Sequence, residues 1–77
     1  MASETTELFK NIAASLWVSP ATIEELSGRD FLKFRSEIGV SNLLHAMVNL
    51  GWIYQRGERF FTYKQTVIKN LSEYEIL

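Results

Sequence analysis

Asn42, His45 and Asn49 recur at i, i+3 and i+7, the spacing that sets side chains in one row along a helix. The apolar residues among them, Leu43, Leu44, Met47 and Leu50, take the other side and predict the buried face of a helix over 41–50, with Ser41 as its N-cap. The free side thus carries amides and an imidazole, which hydrogen-bond without formal charge. An asparagine can pair through two bonds with an adenine edge, and a histidine can donate to guanine or to a phosphate, so the row has the chemistry to read bases. The plainer reading is a solvated helix face. Cations flank it in sequence, Lys33 and Arg35 before and Arg56, Arg59 and Lys64 after.

Charge is ordered along the chain. Residues 1–28 sum to −3, residues 29–69 to +4 and residues 70–77 to −2, which gives the overall −1. Phosphate neutralisation supplies most non-specific affinity for nucleic acid, so the total argues mildly against such a partner. The distribution argues for one, because separated charge gives a field with a direction.

Other chemistries are poorly provided for. With no cysteine and one histidine, the chain offers neither a disulfide framework, a thiolate metal site nor an imidazole cluster. Nothing in the sequence sets a base and an orienting group around His45, and there is no glycine-rich phosphate loop, so no enzyme activity and no cofactor is expected. No apolar run approaches the roughly 18 residues of a membrane span. Met1-Ala2-Ser3-Glu4 lacks the basic and apolar regions of a signal peptide, which makes a cytoplasmic chain the expectation.

The elements that must position these groups follow from periodicity. At 77 residues and 47% hydrophobic, the chain suits one small domain with a modest core and a narrow stability margin. Leu8, Phe9, Ile12, Ala13, Leu16 and Trp17 recur at helical spacing and predict a first helix over roughly 4–17. Ser19-Pro20 suits a new helix start, Thr22 and Glu25 have capping-box spacing, and Gly28 can close the helix in the left-handed conformation. A short second helix over about 20–27 is therefore expected. Phe31, Phe34 and Ile38 form a helical stripe between Asp30 and Gly39, for one or two turns facing the core.

From Trp52 to Lys64 the period changes to two, and Arg56-Gly57-Glu58-Arg59 has the form of a hairpin with a two-residue type II′ loop. Arg56 then stands opposite Arg59, a like-charge pair that an anion or Glu58 would relieve. Trp52, Tyr54, Phe61 and Tyr63 share one face, and Ile53, Gln55, Phe60 and Thr62 the other, one of which must cover the helices. Val67, Ile68, Leu71 and Tyr74 or Glu75 return to helical spacing and predict a last helix or tail over 65–77.

Thr22-Ile23-Glu24-Glu25-Leu26, Gly39-Val40-Ser41, Leu50-Gly51-Trp52-Ile53 and Arg56-Gly57-Glu58-Arg59-Phe60, in that order, resemble the winged helix-turn-helix superfamily. The resemblance covers most of the chain. It implies a mainly α fold with a small β-hairpin: three or four helices, a two-stranded wing and a C-terminal helix, with residues 1–3 as a flexible start and 4–64 as the domain. It also implies a DNA-binding transcriptional regulator of prokaryotic, phage or plasmid type, with helix 41–50 in the major groove of double-stranded DNA and wing 52–64 on its phosphates. In this arrangement Asn42, His45 and Asn49 face bases, and Lys33, Arg35, Ser41, Arg56, Arg59 and Lys64 complete the DNA-binding set. Val67, Ile68, Leu71 and Tyr74 would join two copies as a homodimer. An alternative register makes residues 31–38 the helix before the turn, though it puts Arg35 and His45 where small or apolar residues are usual. The alternative function is a protein–protein interaction or dimerisation module that never touches DNA, for which Tyr54 and Tyr63 are the candidate contacts.

Overall fold

Ile12, Ala13 and Leu16 fall one helical turn apart or side by side, and all three are buried in α1 (Glu4–Val18), with Leu8 and Phe9 packed partly against them. The structure is a computed structural model and describes residues 4–66. The expected flexible start at 1–3 and the tail residues Val67, Ile68, Leu71 and Tyr74 lie outside the described residues. After α1 the order is β1 (Ala21–Thr22), α2 (Ile23–Ser27), α3 (Glu37–Asn49), β2 (Ile53–Arg56) and β3 (Arg59–Thr62). Residues 64–66 are helical again. The result is a small mixed α/β domain whose antiparallel sheet has the order β1-β3-β2, one strand more than the two-stranded ribbon expected.

The added strand replaces the start of the second helix. Pro20 suits a strand's lead-in as well as a helix's first turn, because both leave its missing amide unneeded. Here Ala21 is buried opposite Phe60, so the chain extends before it coils. α2 then starts from Thr22, whose hydroxyl accepts from the Glu25 amide at 3.1 Å while the Glu25 carboxylate accepts from the Thr22 amide at 3.4 Å. This is the capping box the sequence predicts. Gly28 does not take the left-handed conformation, having φ −84° and ψ −6°.

Because Gly28 stays right-handed, the chain runs on in tight turns instead of reversing. Arg29, Leu32 and Arg35 each donate to the carbonyl three residues earlier, so the period here is three and not 3.6. Leu32 becomes the buried residue at 0% exposure, whereas Phe31, Phe34 and Ile38 point outward, Phe34 at 91% and Ile38 at 75%. The expected inward stripe is therefore overturned.

α3 also begins earlier than expected. Its cap is Ser36, whose hydroxyl accepts from the Gly39 amide at 3.0 Å, so Gly39, Val40 and Ser41 lie inside the helix. Glu37 in the first turn suits the positive helix end, a feature Ser41 as a cap would lack. Val40, Leu44 and Met47 make the buried row, with Leu43 partly buried; Leu50, expected inside, caps the helix and is exposed. Gly51 closes it with φ +77°, while Trp52 donates to Met47 and Gly51 to Val48, the bond pattern of a Schellman motif.

The hairpin takes the expected register. Ile53 pairs with Thr62, Tyr54 with Phe61, Gln55 with Phe60 and Arg56 with Arg59. Gly57 has φ +62° and no described non-glycine residue has positive φ, as a type II′ loop requires. Ile53, Phe60 and Thr62 face the helices and are buried. The Thr62 hydroxyl donates to the Ala13 carbonyl at 2.8 Å, which fastens β3 to α1. On the outer face Tyr54 stacks on Phe61 at 5.4 Å and meets Tyr63 at 4.7 Å. Trp52 sits edge-on to Phe9 at 5.9 Å, and Trp17, the last of the helically spaced apolar residues of α1, is 47% exposed.

The reversal of the 31–38 stripe has a direct consequence for stability. Leu32→Ala should cost about 2–5 kcal/mol, enough to unfold much of a domain this small. Phe34→Ala should stay within about 0.5 kcal/mol of wild type. Urea denaturation of the two variants distinguishes this packing from the inward stripe, which demands the opposite ranking.

Candidate nucleic-acid interface

Burial of Val40, Leu44 and Met47 fixes the phase of α3, and its opposite side follows from helix geometry. Asn42, His45 and Asn49 are exposed there, as the sequence predicts, and Ile38 joins them one turn earlier to give a row at spacings of four, three and four. Ser41 is half-buried at the flank of this row and no longer a cap. The row contains no lysine, arginine or carboxylate.

Lys33 and Arg35 are exposed in the turns leading to α3. The Lys33 ammonium lies 5.3 Å from the centre of the Phe34 ring, within cation–π range. Arg29 of the same segment is differently employed: its guanidinium donates to the Ser15 hydroxyl and, at 2.9 Å, to the Ser19 carbonyl. It thereby ties the end of α1 to the start of the α2–α3 connection.

The two hairpin arginines separate in role. Arg59 forms an ion pair with Glu25 at 3.0 Å and donates to the Pro20 carbonyl at 3.3 Å. The repulsion expected from its pairing with Arg56 is thus relieved by a carboxylate from α2, and not by Glu58. Arg56 is exposed and makes no ion pair among the described residues. Lys64 is exposed just past β3. Beside the hairpin, a shallow groove of about 320 Å³ is lined by Thr22, Ile23, Glu24, Gln55 and Glu58. Its two carboxylates, Glu24 and Glu58, disfavour an anion in that groove.

Sequence reasoning missed Ile38 as a member of the row, because it assigned that residue to a separate, inward-facing turn. The signal that could have found it is Ser36-Glu37, a cap followed by an acid. It also missed the claim of Glu25 on Arg59, for which no local pattern exists. Among the described residues no group of three or more His, Cys, Asp and Glu could hold a metal ion, and no helix is long and apolar enough to cross a membrane. Comparison with protein-family models, curated proteins and solved structures finds no match.

The Glu25 carboxyl is held below its ordinary value, first by the Thr22 amide, which desolvation opposes as the next largest effect, and then by the Arg59 charge, the Thr22 hydroxyl and the Arg29 charge. A depressed carboxyl contributes stability that is present above its ordinary value and lost as pH falls through its folded one. Acid titration of the urea midpoint should therefore fall less steeply in Glu25→Gln than in wild type. Parallel curves for the two proteins would mean that ionisation of Glu25 is not linked to folding.

Proposed function

We propose that the chain is a winged-helix DNA-binding regulator in which α3 lies in the major groove of a duplex and the hairpin runs along its phosphates. The observation that carries this reading is the exposed row of Asn42, His45 and Asn49 on the side of α3 opposite the core. Asparagine and histidine at these positions are base-edge donors and acceptors. The element order and the β1-β3-β2 sheet are compatible with a winged helix, and the hairpin offers Arg56 as an unpaired cation near the strand end. Lys33 and Arg35 serve phosphates at the other end of α3, and Lys64 at the foot of the hairpin. Arg59 is better assigned to fastening β3 on α2, since phosphate must compete with Glu25 for it.

A second reading, a docking module for another protein, draws on Phe34, which has almost no cover. Electrophoretic titration against random duplex DNA at low and moderate salt separates the two. The DNA reading predicts a shift that weakens steeply with salt, and the docking reading predicts none. Arg56→Ala should lower affinity uniformly across sequences and reduce the salt slope by about 1. Asn42→Ala or Asn49→Ala should cost about 1–3 kcal/mol at one base position and leave the salt slope alone. An Arg56→Ala variant with wild-type affinity and slope would remove the hairpin from the interface.

A further inference from the structure

We propose that Ile38 and Phe34 read thymine methyl groups, which makes the leading end of α3 a specificity surface for A·T pairs. The inference rests on the duplex-binding reading above. Ile38 is 75% exposed and stands in the same row as Asn42, His45 and Asn49. A helix laid in a major groove along that row brings Ile38 to a base edge one turn before Asn42. Of the groups displayed there, the thymine 5-methyl is the apolar one, and aliphatic or aromatic side chains contact it. Asn42 beside it favours adenine, so the apolar and amide ends of the row converge on the same base pairs.

Phe34 lies two residues before the Ser36 cap and is 91% exposed. Lys33 and Arg35 flank it in sequence, neither with an ion pair among the described residues, and the Lys33 ammonium lies 5.3 Å from the centre of the Phe34 ring, so an apolar contact here would be made beside two cations. That combination fits a partner with phosphates around an apolar group. Asp30 and Glu37 belong to the same stretch, and residues 29–37 carry a net +1. One net charge falls short of the clusters of about 4–8 basic residues that hold a segment on an anionic lipid surface, so any phosphate contact here is local to Lys33 and Arg35.

The experiment compares binding of the full chain to duplex poly(dA-dT) and poly(dA-dU), which differ only in the 5-methyl group. Wild type should bind the methylated polymer about fourfold more tightly for each methyl contacted, the factor expected for taking one such group out of water. Ile38→Ala/Phe34→Ala should bind both polymers alike while keeping the wild-type unfolding midpoint, because both side chains are exposed. Asn42→Ala should weaken binding to both polymers and retain the preference for methyl. Equal wild-type affinity for the two polymers overturns the inference and leaves duplex binding standing. Absence of binding to either polymer and to random duplex at low salt overturns both.

Discussion

β3 is paired along both edges, and Phe60 within it faces Ala21 on one side and Gln55 on the other. Most of the geometry follows from that double pairing. Its alternation sends Phe60 and Thr62 into the core and Arg59 and Phe61 to the opposite face; a slip of one residue would exchange the two sets. With Thr62 bonded to the Ala13 carbonyl, the strand is also fixed to α1. β1, the hairpin and the first helix thus share one register. Arg59, at the start of β3, is carried to within reach of Glu25 by the same constraint.

Local patterns in the sequence were enough for those parts whose partners are near in the chain. The hairpin was legible because Gly57-Glu58 and the period-two flanks specify loop and register together. α1 was legible from its apolar row, and the start of α2 from Thr22 and Glu25. β1 was not, since two residues carry no period and their partner Phe60 is far along the chain. The start of α3 was ambiguous for a different reason: Ser36 and Ser41 both qualify as caps. The choice between them depends on Leu32 filling the core, which is a tertiary fact. The Asn42, His45 and Asn49 row is the complement of Leu44 and Met47 whichever serine caps the helix. Ile38 joins that row only with Ser36 as the cap, because a cap at Ser41 leaves it on a separate turn.

Charge distribution sets what the surface is suited to do. With Arg29 turned onto the end of α1 and Arg59 onto Glu25, two of the cations in the basic middle of the chain are committed to the fold. Long-range attraction in the duplex-binding reading then rests on the exposed Lys33, Arg35, Arg56 and Lys64. Few phosphate contacts mean modest binding to any sequence, because that term is indifferent to bases. Neutral hydrogen-bonding and apolar groups act the other way: they add affinity where the complementary base is present and lose it where a polar group is left unpaired. In that reading a row of Ile38, Asn42, His45 and Asn49 with few cations to support it favours discrimination over strength. Such a domain would reach useful occupancy by engaging two half-sites at once, where the free energies of base and phosphate contacts from both copies add and their factors in the binding constant multiply.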